Sequence, residues 1–133
     1  MRDESVHFER VSSRAVWEGQ VGYCRALRAG NLVFVTGTAP VDASGAGTHA
    51  PGDAYAQCRR CLELIEQAIS AFGIGRARVV RTRMFVTDIS RWSEFGRAHA
   101  EFFGEHRPTT TMVEVRALID PEMLIEIEAD AIC

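Results

Sequence analysis

Leu124-Ile125-Glu126-Ile127-Glu128-Ala129, near the end of the chain, alternates apolar and acidic residues from Ile125 onward. A β-strand turns successive side chains to opposite faces. Ile125, Ile127 and Ala129 therefore share one face, and Glu126, Glu128 and Asp130 share the other. The spacing predicts a strand over Met123 to Ile132. The stretch before it, Thr110 to Ala117, is rich in β-branched residues and predicts another strand, with a turn at Asp120-Pro121.

Working outward, Ser90 or Arg91 to Phe103 predicts a short helix with Trp92, Phe95, His99, Phe102 and Phe103 toward the core, closed by Gly104. Val79 to Thr87 predicts a strand. Asp53 is the expected N-cap of a helix to about Phe72. On it Ala54, Cys58, Cys61, Leu62, Ile65, Ala68, Ile69 and Phe72 fall near one stripe, and Gly73 ends it. Nearer the start, Val6 to Arg10, Tyr23 to Ala29 and Leu32 to Thr36 read as strands, the last two joined through Gly30-Asn31. Ser12 to Gln20 reads as loop, and so does the glycine- and serine-rich Val41 to Thr48.

Strands, helix, strand, helix, strands is the order of an α+β fold, with about six strands in a mixed sheet and two helices packed on one face. The opposite face then needs cover, so the architecture predicts an oligomer. With 133 residues, the chain is expected to be one domain over 1–133.

A hydrophobic content of 47% and a charged content of 25% argue against disorder. The net charge of −3 comes with no basic run, which disfavours nucleic acid as the main partner. No apolar stretch is long enough for a membrane span, and the charged start leads into no signal-peptide core, so a cytoplasmic location is expected. Cys24, Cys58, Cys61 and Cys133 are then expected to be thiols. Cys58-Arg59-Arg60-Cys61 has CxxC spacing but lies inside a helical pattern without a second ligand pair. Together with four scattered histidines, this points away from a metal site.

An acidic strand face is ordinarily a solvated surface. Thr110, Met112, Glu114 and Arg116 share one face of the preceding strand, where threonine reflects β-propensity. Tyr23 follows Val21-Gly22 at a strand start, ordinarily a packing position.

Arg107-Pro108-Thr109-Thr110-Thr111-Met112-Val113-Glu114-Val115, Leu124 to Ala129, Asn31-Leu32-Val33-Phe34-Val35-Thr36-Gly37 and Phe85-Val86-Thr87-Asp88 change those readings. In this order the chain resembles the Rid/YjgF family of small trimeric imine and enamine deaminases, from Tyr23 onward. The resemblance implies a homotrimer with a substrate cleft between subunits and no cofactor. Glu126 would position the hydrolytic water. Tyr23, Gly37, Thr110 and Met112 would line the substrate, with the Met112 carbonyl facing the imine nitrogen or the water.

Two positions depart from the family. Thr110 stands where deaminating members carry an arginine that grips the substrate carboxylate, and Gly96 stands where they commonly carry asparagine. A short neutral hydroxyl makes no paired charge-assisted hydrogen bonds to a carboxylate. Arg25 and Arg83 are the strand cations nearest in pattern, and each reads first as an ion-pair residue. The expected function is hydrolytic deamination of an imine or enamine, or a related hydrolysis of a reactive metabolite, in the cleft between subunits. The alternatives are a non-catalytic small-metabolite-binding trimer and, well behind it, an endoribonuclease-like activity.

Overall fold

Strands β1 (Phe8–Val11), β2 (Ala26–Ala29), β3 (Leu32–Thr38), β4 (Val79–Val86), β5 (Thr109–Glu114) and β6 (Ile125–Ile132) form one sheet in the order β1-β2-β3-β6-β4-β5. The computed structural model describes residues 6–13 and 15–133. All pairings are antiparallel except β4 with β5, which run parallel. Among the described residues three α-helices accompany the sheet, α1 (Val16–Val21), α2 (Ala54–Ser70) and α3 (Trp92–Phe103). This is the mixed α+β, six-stranded fold that the alternation predicts.

The long helix forms where its cap and stripe place it. Asp53 accepts a hydrogen bond from the Ala56 backbone N–H at 2.9 Å, satisfying one of the orphan donors of the first turn. Seven apolar residues of the expected stripe, Ala54, Cys58, Cys61, Leu62, Ile65, Ala68 and Ile69, are buried. Phe72 is half-buried just past the helix. They meet Ile125, Ile127 and Ala129 of β6 and Val33 and Val35 of β3 in one core. Helix α3 packs on α2 and adds Phe95, Phe102 and Phe103 to that core. Both long helices thus cover the sheet face carrying the odd-numbered residues of β6.

Gln57 fixes the long connection between β5 and β6 to this layer. Its buried amide donates to the carbonyls of Glu122 at 3.0 Å and Ala50 at 3.3 Å, and accepts from the Leu124 N–H at 2.8 Å. A buried amide with its partners in place stabilises the segment it joins, whereas an unpaired one costs about 1–3 kcal/mol.

Two local expectations are corrected. Residues 12–20 are not all loop, because Val16–Val21 forms a short helix closed by Gly22 at φ +87°. One and a half turns show too little periodicity to read, and here Glu18, not an apolar residue, points inward. Trp92 is 61% exposed rather than part of the core. Periodicity assigns a residue to a helix face but cannot say whether a neighbour covers it. In the sheet β6 lies between β3 and β4, and β5 is an edge strand. The uncovered face carries Leu32, Phe34 and Val113, all exposed, and the ion pairs of Arg83 with Glu128 and Asp130 at 3.2 and 3.4 Å.

Candidate functional site

A β-bulge between Val35 and Thr38 opens the pairing of β3 with β6 beside Gly37. A Cβ built on Gly37 would lie 3.1 Å from the carboxyl carbon of Glu126, tighter than ordinary van der Waals contact. A side chain at position 37 would therefore press on the Glu126 carboxyl. Glycine leaves the backbone open there and the carboxyl reachable.

Glu126, Gly37, Tyr23 and Arg25 line one cleft of about 600 Å³. That volume lies within the usual span of small-molecule pockets, about 300–1,000 Å³. The cleft runs from the end of β1 past α1 and the 39–45 loop to α2, and its walls include Trp17, Val21, Leu64 and Ile119. Burial pushes the Glu126 carboxyl above the usual carboxylate range. The Arg25 charge opposes that shift, and Glu128 adds to it. A carboxyl shifted in this direction and open to the cleft can exchange protons with water or substrate.

Arg25 stands out within this cleft. Its backbone is held on both sides, with its N–H donating to Val11 O at 2.7 Å and its carbonyl accepting from Thr36 N–H at 3.1 Å. Its side chain is only 13% exposed. Nη2 donates to Gly37 O at 3.3 Å, and the guanidinium lies 5.7 Å from the Tyr23 ring centre. Nε is 4.0 Å from the buried Glu18 carboxylate, which already accepts from the Ser13 N–H and hydroxyl. Among the described residues Nε makes no hydrogen bond.

Thr110 and Met112 lie elsewhere in the chain. They sit on edge strand β5, paired with Thr82 and Met84 of β4. Thr110 borders a separate depression of about 420 Å³ with His99, Phe103 and Arg107. Its hydroxyl accepts a hydrogen bond from Thr82 at 2.7 Å, and Thr82 Oγ1 is 2.8 Å from His99 Nε2. Thr82 thus bridges Thr110 and His99 through one hydroxyl. Burial holds His99 below the usual imidazole range. Gly96 of α3 has only Trp92 within reach of a built Cβ, at 4.0 Å, so the smallness of residue 96 is not forced by packing.

A single chain thus gathers Tyr23, Gly37 and Glu126 with Arg25, and sets Thr110 and Met112 apart from them. Sequence reasoning placed Arg25 only as a rival cation and missed Glu18, Trp17 and the Thr82–His99 link. An acidic residue inside a supposed loop was the one signal for Glu18. The cysteines of α2 offer no nucleophile, because burial pushes the Cys58 thiol up to about 12 and Cys61 well above its usual range. Among the described residues no helix is long and apolar enough to cross a membrane.

The family description "Endoribonuclease L-PSP" matches residues 15–133. The chain is 36% identical to the 3-aminoacrylate deaminase RutC of Acinetobacter baylyi, covering 82% of this chain and 85% of that protein. It is 30% identical to the 2-iminobutanoate/2-iminopropanoate deaminase of Escherichia coli, covering 83% and 86%. Among solved structures, Rv2704 of Mycobacterium tuberculosis, described as a member of the YjgF/YER057c/UK114 family, is 49% identical. It superposes with a TM-score of 0.85 over 96% of this chain and all of that one.

Proposed function

The chain belongs to the endoribonuclease L-PSP family, the Rid/YjgF group, and from that premise we propose that it hydrolyses the C=N bond of an imine or enamine in a cleft centred on Glu126. The observation that carries this reading is the half-buried Glu126 carboxyl, raised by burial and left open by Gly37.

Glu126, as the carboxylate, takes a proton from water as the water oxygen attacks the C=N carbon, and passes that proton to the nitrogen to give the carbinolamine. Glu126 then takes the carbinolamine hydroxyl proton and delivers it to the amino group, which leaves as ammonia as the carbonyl forms. An enamine reaches the same path after protonation on carbon. Imines are electrophilic already, so acid–base help from one carboxyl, typically worth about 10²–10⁴-fold, suffices without a nucleophile. Relatives named as deaminases of 3-aminoacrylate and of 2-imino acids support the reaction class.

The assembly proposed for this reaction is a homotrimer. The apolar residues on the uncovered sheet face, Leu32, Phe34 and Val113, supply the surface it would bury. In such an assembly β5 of a second copy would bring Thr110 and Met112 to the cleft.

A binding role without turnover is the second reading, favoured by the neutral Thr110 already engaged by Thr82. RNA cleavage, named in the family description, ranks below both. The cleft sets Arg25 and Arg60 against Asp42 and Glu126, with no cationic track for a phosphate backbone. The test is ammonia release from a panel of imines generated in situ, by wild type and Glu126→Gln, with light scattering on both. Release by wild type that survives in the variant overturns the role of Glu126, and no release on any imine favours the binder.

A further inference from the structure

We propose that Arg25, not position 110, is the anion clamp of this cleft, and that its ligand is a carboxylate-bearing imine or enamine with a large apolar side chain. The substrate class rests on the hydrolytic reading above, while the clamp itself stands on geometry alone.

A guanidinium offers five N–H donors. Among the described residues Arg25 uses one of them in a hydrogen bond, from Nη2 to Gly37 O at 3.3 Å, although its side chain is only 13% exposed. Glu18, the nearest carboxylate, stands 4.0 Å from Nε, and its oxygens are already engaged by Ser13. Its terminal nitrogens keep donors to spare, and an anion bound there would pair the charge with charge-assisted hydrogen bonds. Among the described residues Arg83 pairs with Glu128 and Asp130, and Arg107 borders the Thr110 depression instead of this cleft. Arg60 lines the same cleft from α2, with its Nε donating to Val41 O at 2.8 Å, but it makes no hydrogen bond to Gly37, the residue that faces Glu126.

Gly37 links the two ends of the head group. Its carbonyl accepts from Arg25, and its missing side chain faces the Glu126 carboxyl. A ligand lying over Gly37 with its carboxylate on Arg25 therefore presents the adjacent C=N carbon toward Glu126. Beyond the head group the walls turn apolar. Trp17, Val21 and Ile119 are 42%, 72% and 66% exposed while lining the same cleft. A polar floor inside an apolar rim suits an anionic head on an apolar body.

The test is equilibrium binding by calorimetry, with 4-methyl-2-oxopentanoate as the carboxylate probe, its methyl ester as the neutral probe and pyruvate as the small one. Proteins are wild type, Arg25→Gln, Arg25→Lys and Arg83→Gln, each checked by thermal melting. Wild type should bind the acid about 10- to 100-fold more tightly than the ester, the range expected for hydrogen bonds to a charged group. Arg25→Gln should lose that discrimination, Arg25→Lys should recover part of it, and Arg83→Gln should behave as wild type. Pyruvate should bind at least tenfold more weakly than the longer acid.

Equal binding of acid and ester by wild type overturns the clamp without needing any variant to fold. So does an Arg25→Gln protein that still discriminates, and equal binding of pyruvate overturns the apolar specificity. Arg25-dependent binding without ammonia release from any imine would leave the clamp standing and overturn hydrolysis. Ammonia release indifferent to Arg25→Gln would do the reverse.

Discussion

The wall built from β2, β3 and β6 and the edge built from β5 and α3 solve opposite problems with polar residues. On the wall, Arg25 and Glu126 are charged or chargeable, half-buried and sparsely bonded among the described residues, grouped around a glycine. On the edge, His99, Thr82 and Thr110 are neutral and bonded head to tail. Incomplete satisfaction in a cleft is what a ligand can complete, whereas a closed hydrogen-bond chain mainly holds structure. In the family pattern the cation stands on the edge. Here it stands on the wall, on the same side as the carboxyl.

The largest effect is expected where the wall acts on substrate. If hydrolysis is the activity, Glu126→Gln should lower the rate of ammonia release by about 10²–10⁴-fold with the fold intact. The same substitution should raise the thermal midpoint at pH 7–8. Burial raises the folded-state pKa of Glu126 above its usual 4.5, so the site favours the neutral acid. The stability the neutral acid contributes is present at low pH and lost as pH rises through the folded pKa. Wild type and Glu126→Gln should therefore converge on acidification. A midpoint difference that is constant with pH would mean that Glu126 is not held in this way.

A smaller effect, on stability rather than rate, is expected at the edge. Thr82→Val keeps the shape but removes the hydroxyl between His99 and Thr110, leaving the buried Nε2 without its partner. The cost should be about 1–3 kcal/mol in denaturant unfolding. Since burial lowers the folded-state pKa of His99, the stability it contributes is present above the unfolded value of about 6.5 and lost as pH falls through the folded one. His99→Gln should flatten that acid limb. A large kinetic loss in Thr82→Val at unchanged stability would show that the edge takes part in chemistry, and the contrast would break.

Much of this contrast was legible in the sequence, though unevenly. The β6 alternation, the Asp53 cap and the α2 stripe fixed the layers, because each is a local pattern with a local cause. Tyr23, Gly37 and Glu126 came from family likeness and fall in one cleft. The insertion of β6 between β3 and β4 is a non-local pairing, which no single stretch of residues encodes. Arg25 looked like a surface cation because burial depends on what folds over it, here α1 and Glu18. His99 read as a core residue, which it is, but its bond to Thr82 needed the register of β4 against α3.

The smallest effect is expected from restoring the family's arginine. Thr110→Arg would remove an acceptor from Thr82 and place a second cation in the depression that Arg107 already borders, with His99 behind it. Like charges so close disfavour one another, and the new side chain must find a ligand carboxylate from another copy of the chain. Gly96 also supplies no side chain where the deaminating pattern commonly has asparagine, and a clamp misplaced by about 1 Å can cost on the order of 10²-fold. If Arg25 already holds the carboxylate, a second clamp has little left to add. Thr110→Arg should therefore change ammonia release from 2-iminobutanoate, generated in situ, by about threefold or less, well below one full charged hydrogen bond. Arg25→Gln with Thr110→Arg is the sharper comparison. Full recovery in that double variant of what Arg25→Gln alone loses would show that wall and edge are interchangeable places for the cation. Failure to recover would show that the cleft has been rebuilt around the wall.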